Sequence, residues 1–89
     1  MVSVKRIMLD VLKPHQPNAL EFSQAIARIG KDYQVRLTVV EIDEKTETVQ
    51  LEVEGNAIDF EKIQSAITSM AGSLHSIDEV VVHSEADAD

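Results

Sequence analysis

Residues 33–54 read YQVRLTVVEIDEKTETVQLEVE, and this stretch decides the fold. Val35, Leu37 and Val39 take one parity while Arg36, Thr38, Val40 and Ile42 take the other. Beyond Glu44, Lys45 and Thr46, the residues Val49, Leu51 and Val53 alternate with Thr48, Gln50, Glu52 and Glu54. A period of two on both sides of a short polar break marks two half-buried strands joined as a hairpin. Placing both apolar sets on one core face pairs odd positions with odd, a register compatible with a three-residue loop. Gly55 and Asn56 end the second of these strands.

Helical periodicity flanks the hairpin. Upstream, Phe22, Ala25, Ile26 and Ile29 fall at i, i+3, i+4 and i+7, with Glu21, Gln24, Arg28 and Lys31 on the opposite face. Asn18 with Glu21 reads as an N-cap pair, and Gly30 is the expected stop. Downstream, Asp59 is the expected N-cap, Ile58 staples onto Ile63, and Phe60, Ile63, Ile67, Met70 and Leu74 form the expected apolar stripe, with Gly72 as the C-terminal cap. Strand periodicity returns outside the helices. Ile7, Leu9 and Val11 alternate with Arg6, Met8, Asp10 and Leu12 over residues 4–12, and residues 77–83 supply a last strand around Val80, Val81 and Val82. The order βαββαβ predicts an α+β ferredoxin-like sandwich: an antiparallel four-stranded sheet in order 4-1-3-2, with both helices on one face. One domain over residues 1–84 is expected, followed by an acidic disordered tail at 85–89.

Composition narrows the function. Sixteen acidic against eight basic side chains leave a net charge of −8, which disfavours nucleic acid as a partner. The chain has no cysteine, excluding disulfides, thiolate metal sites and cysteine nucleophiles and matching a reducing cytoplasm. Apolar runs reach only three residues, so neither a membrane span nor a leader peptide is expected. No nucleophile elbow or phosphate-binding glycine loop places the serines and histidines, so no catalytic residue is assigned and a non-enzymatic role is expected.

The predicted topology leaves one sheet face without helices. Arg6 and Arg36 are placed to flank Glu54 there, while Met8, Leu12, Thr38, Val40 and Ile42 form a half-apolar surface between two open edges. Such a face is expected to be covered by a second copy of the chain.

The same topology gathers three segments at one end of the sheet. Asp10, Lys13 and His15 come from the exit of strand one, Glu41, Asp43, Glu44 and Glu47 from the hairpin, and His75, Asp78 and Glu79 from the entry to strand four. Asp10, His15, Asp43, His75 and Asp78 are the candidate metal ligands. Carboxylates suit calcium or magnesium, and the imidazoles shift the preference toward zinc or nickel. No EF-hand loop or H-E-x-x-H motif accompanies them.

Other residents of this fold leave different marks. RNA-recognition modules carry aromatics on strands one and three, and these strands have none. Residues 17–20, Pro-Asn-Ala-Leu, loosely echo the turn of ACT-like regulatory modules, which supports an alternative reading: a small metabolite bound between subunits near Asn18 and the hairpin. A fuller match exists. The motifs at 9–15 (LDVLKPH), 40–43 (VEID) with Thr46 and Glu47, 54–60 (EGNAIDF) and 74–80 (LHSIDEV) resemble an archaeal family, domain of unknown function 211. The resemblance implies a ferredoxin-like subunit that assembles into a homo-oligomer, a ring, in an archaeal cytoplasm, with calcium as an associated ion and no assigned reaction.

Overall fold

A computed structural model describes residues 1–86. Its elements are β1 (Val2–Pro14), α1 (Ala19–Ala27), β2 (Gln34–Ile42), β3 (Thr46–Glu54), α2 (Phe60–Ser69) and β4 (Ser73–Ser84). They form one antiparallel sheet in the order β2-β3-β1-β4, the ferredoxin-like arrangement expected from the alternation of periods.

The hairpin pairs odd with odd: Val35 with Val53, Leu37 with Leu51 and Val39 with Val49. Its loop is Asp43, Glu44 and Lys45, closed by the Asp43 N–H donating to the Thr46 carbonyl at 2.8 Å. The odd residues of β3 lie opposite Ile7, Leu9 and Val11 of β1, so one sheet face is continuously apolar. Phe22 and Ile26 of α1, Ile63 and Ile67 of α2, and Ile58 close over it, and all eleven core side chains are buried. Burial of that apolar surface, at about 25 cal/mol per Å², is the main term holding the domain together.

Helix starts follow the local sequence. Asn18 Oδ1 accepts from the Glu21 N–H at 2.9 Å, and Glu21 Oε1 accepts from the Asn18 N–H at 3.2 Å, a complete capping box. Asp59 Oδ1 accepts from the Lys62 N–H at 3.2 Å.

The end of α2 differs from expectation. The left-handed residue is Ala71, with φ 64°, rather than Gly72. The Gly72 N–H donates to Ile67 O at 2.9 Å and the Ala71 N–H to Thr68 O at 3.0 Å, so the chain reverses in a Schellman turn directly after Met70. Gly72 is needed for its small size, because an added Cβ would lie 3.0 Å from Ile67 Cγ2 and 3.2 Å from Ile67 O. Leu74 is therefore a strand residue opposite Val11 and not part of the helical stripe.

Irregular pairing changes which residues share a face. In β2, register shifts between Val39 and Glu41, so Val40 is an extra residue and Ile42 lies opposite Glu47, on the helix side of the sheet. Met8, Leu12 and Thr38 keep the open face, and Ile42 leaves the surface on which alternation had placed it. In β4, register shifts leave His75 and Asp78 as extra residues, and in β1 a third shift leaves Lys5. Leu74, Ile77 and Val80, spaced by three, thereby line up with Val11, Leu9 and Ile7 on one face. Of the expected tail, positions 87–89 lie outside the described residues. Glu85 lies within them, its carboxylate 2.7 Å from Lys5 Nζ and its N–H donating to Met1 O at 2.7 Å.

Candidate functional site

Three places hold the chemistry that the sequence singled out. The first is the exit of β1. Lys13 shares the parity of Val11 and Leu9, so its side chain enters the core and is fully buried. A buried ammonium must find acceptors, and Lys13 Nζ donates to Pro14 O at 2.8 Å and to Glu47 Oε1 at 3.1 Å, lying 5.9 Å from the centre of the Phe22 ring. Glu47 is the cross-strand partner of Lys13, which fixes the pair. The second carboxylate oxygen of Glu47 is 3.0 Å from His15 Nδ1, while His15 Nε2 lies 3.0 Å from both the Asp43 and Glu44 carbonyls. The hydrogen bond to Glu47, followed by that to the Glu44 carbonyl, raises the His15 pKa above its ordinary 6.5. Hydrogen bonds from His15 and then Lys13 hold the Glu47 carboxyl below its ordinary 4.5.

The second place is the open sheet face. A concavity of about 310 Å³ is lined by Asp10, Leu12, Thr48 and His75. The bulge at His75 positions the imidazole there, beside the point where Ser76 pairs with Asp10. Further along the face, Arg6 is shared among three carboxylates, at 2.6 Å from Glu52, 3.3 Å from Glu79 and 3.8 Å from Glu54. Glu79 thus belongs to the middle of the sheet and not to its polar end, because the bulge at Asp78 carries it opposite Met8.

The five candidate ligands do not converge within one protomer. Asp10 and His75 share the open-face concavity, His15 is committed at both ring nitrogens to the hairpin, Asp43 contributes a backbone carbonyl there, and Asp78 is bound to the Ser76 hydroxyl at 2.6 Å. Among the described residues no group of three or more His, Asp or Glu side chains is placed to hold a metal ion. A calcium- or magnesium-sized site needs six or more oxygens, and these residues do not supply it alone. Asn18, at the centre of the metabolite alternative, spends its side chain on the α1 cap.

The third place is the β4 edge, one of the two open edges expected of the sheet. Ile77, Val80, Val81 and Val82, on the outermost strand of the sheet, are 43–52% exposed. The signal present in the sequence was the run of three valines at 80–82, which breaks alternation and places apolar side chains on both faces at once. On the opposite edge Val39, Val40 and Ile42 are likewise exposed. No helix among the described residues is long and apolar enough to cross a membrane.

Comparison with known proteins agrees over nearly the whole chain. An uncharacterised protein of the archaeon Methanocaldococcus jannaschii, MJ0319, is 44% identical over 81 residues, covering 91% of this chain and 84% of that protein. The DUF211 family, described as uncharacterised ArCR, matches residues 5–86, and the chain belongs to it.

Proposed function

We propose that this protein is a non-enzymatic, self-assembling subunit of a cytoplasmic binding or scaffold complex, built by adding copies of itself through its open sheet edges. The observation that carries this reading is the outer half of β4. An unpaired edge exposes backbone donors and acceptors that can template another strand, and proteins guard such edges with bulges, lysines and prolines. β4 has no lysine and no proline, and its two bulges, at His75 and Asp78, guard only its first half. Residues 79–84 carry no bulge of their own, the shift opposite Val81 and Val82 belonging to β1 at Lys5, and their apolar centre Val80, Val81 and Val82 is able to receive a strand. The β2 edge lies on the far side of the sheet, so head-to-tail pairing of one edge with the other, copy after copy, favours a closed ring. Met8, Leu12, Thr38, Val40 and Ile42 would line or border the covered surface. A divalent cation such as calcium would have to draw ligands from two copies, since one protomer brings only Asp10 and His75 together.

Val82→Lys tests the reading without disturbing the core, because Val82 is about half exposed (52%). Light scattering coupled to size exclusion should record a discrete oligomer for the wild type and a monomer of unchanged circular dichroism for the variant. A variant that assembles like the wild type would remove the β4 edge from the interface.

A further inference from the structure

Arg36 of β2 is exposed and forms no ion pair among the described residues. Glu52, its cross-strand neighbour, is committed to Arg6 at 2.6 Å. On the opposite edge of the sheet, the Glu79 side chain of β4 is 45% exposed, and its 3.3 Å approach to Arg6 leaves Nε of that arginine without a hydrogen-bond partner. One edge thus carries a cation without an acceptor and the other a half-exposed carboxylate, both on the open face. β2 and β4 run in opposite directions, since each strand is antiparallel to its neighbours in the order β2-β3-β1-β4. Copies added head to tail in one continuing sheet keep these directions, so β4 of one copy meets β2 of the next antiparallel. They also keep the helices on one side, so open-face residues must meet open-face residues. On β4 these are Glu79 and Val81, opposite Met8 and Arg6, and then His83 by alternation. On β2 they are Gln34, Arg36 and Thr38, opposite Glu54, Glu52 and Gln50.

Bulges narrow the choice of register. β4 has none of its own beyond Asp78, and β2 has none before Val40. Setting Glu79 directly against Arg36 pairs only 79–81 with 34–36 before the Asp78 bulge interrupts, and it leaves Val82 beyond the start of β2 at Gln34. Sliding β4 by two residues pairs 79–83 with 34–38 without interruption. Val80 then meets Leu37 and Val82 meets Val35 on the helix side, while Glu79 lies diagonal to Arg36, a separation that a long side chain spans. Sliding by two more puts Glu79 on the Val40 bulge beside Glu41, a like charge, and His83 opposite Arg36. The longer ladder and the apolar contacts of the middle register outweigh a directly opposed exposed ion pair, which contributes little. A sheet that closes on itself also requires stagger between its strands.

We propose, resting on the edge-to-edge assembly above, that β4 joins β2 of a second copy antiparallel with Val81 opposite Arg36, and that Arg36 reaches diagonally to Glu79 across the junction. The occupant of each edge is another copy of this chain. Val80 and Val82 supply the apolar contact, and the charge pair selects among the registers that keep the faces aligned.

The chain has no cysteine, so introduced pairs report the junction without background. Gln34 and His83 lie on opposite edges of one protomer, three strand spacings or about 14 Å apart, too far for a link within one chain. The full chain carrying Gln34→Cys with His83→Cys, treated with a short bis-methanethiosulfonate, should give a ladder of covalent multimers on a denaturing gel. Gln34→Cys with Val81→Cys, which reports the unstaggered register, should give far less. Arg36→Gln should raise the concentration of half dissociation by up to about fivefold, the upper end for an exposed ion pair, and an unchanged value would remove that pair from the junction. An oligomer that falls apart on Val82→Lys yet links mainly through Val81, or through neither pair, would overturn this register and leave edge assembly standing. An oligomer indifferent to Val82→Lys, or a monomeric wild type, would overturn the assembly itself.

Discussion

The ammonium of Lys13, wholly shielded from solvent, lies 3.1 Å from the carboxylate of Glu47, its direct partner on the adjacent strand. This is the one basic side chain that the alternation of β1 sends into the core. Removing one member of a buried pair leaves an uncompensated charge, whereas replacing both with apolar groups of similar size is often neutral. Glu47→Ala should therefore destabilise by on the order of 3 kcal/mol, and Lys13→Met with Glu47→Leu should recover most of that loss. Urea unfolding midpoints of the wild type and the two variants check this ordering, and a double variant as unstable as Glu47→Ala would contradict it.

The same cluster sets a pH profile with two limbs. Glu47 titrates below its ordinary 4.5, so its stabilising contribution is complete above 4.5 and is lost as pH falls through the lowered value. His15 titrates above its ordinary 6.5, so its contribution is complete below 6.5 and is lost as pH rises through the raised value. Stability from this cluster should thus be greatest between 4.5 and 6.5. Comparing wild type with His15→Gln by urea unfolding against pH should show the alkaline limb only in the wild type.

Ala71 holds a left-handed conformation, φ 64°, that costs a residue with a Cβ roughly 1 kcal/mol relative to glycine. Ala71→Gly should raise stability by about that amount, partly offset by the greater freedom of glycine in the unfolded chain. Thermal unfolding measures it, and a lowered midpoint would show that the turn tolerates alanine without strain.

Gly30 and Gly55 lie against the ring of Tyr33, where an added Cβ would sit 2.2 Å and 3.0 Å from the nearest ring atom. The ring cannot simply swing away, because its hydroxyl accepts from the Asp59 N–H at 2.6 Å at the start of α2. Gly30→Ala should cost roughly 1–3 kcal/mol by overpacking, more than Gly55→Ala. Equal unfolding midpoints for the two variants would argue against the packing role of the ring.

The hairpin, the helix N-caps and the sheet order are legible because each rests on local chemistry: alternation at 35–39 and 49–53, Asn18 with Glu21, and Asp59 before Phe60. The β4 strand was harder to read for a physical reason. Its bulges at His75 and Asp78 convert the spacing of Leu74, Ile77 and Val80 from two to three, which imitates a helical face, so the sequence pattern draws Leu74 into α2 and gives the strand as residues 77–83. The bulge at Val40 had the corresponding effect on Ile42. These bulges also explain why the five candidate ligands separate. Grouping them at one end assumed unbroken pairing, whereas the shifts in β4 turn His75 onto the open face and carry Glu79 to mid-sheet. The Lys13, Glu47 and His15 cluster was visible only as three polar residues at the right end. Their mutual contacts depend on a lysine occupying a core parity, which composition does not announce.

Self-assembly is tested most directly by native mass spectrometry of the untagged protein, recorded after exhaustive chelation and again with stoichiometric calcium or magnesium. The expected result is one discrete oligomer in both conditions, since edge pairing through residues 79–84 needs no ion, with any retained cation released when Asp10 or His75 is replaced by Ala. A monomer in both conditions would contradict the account.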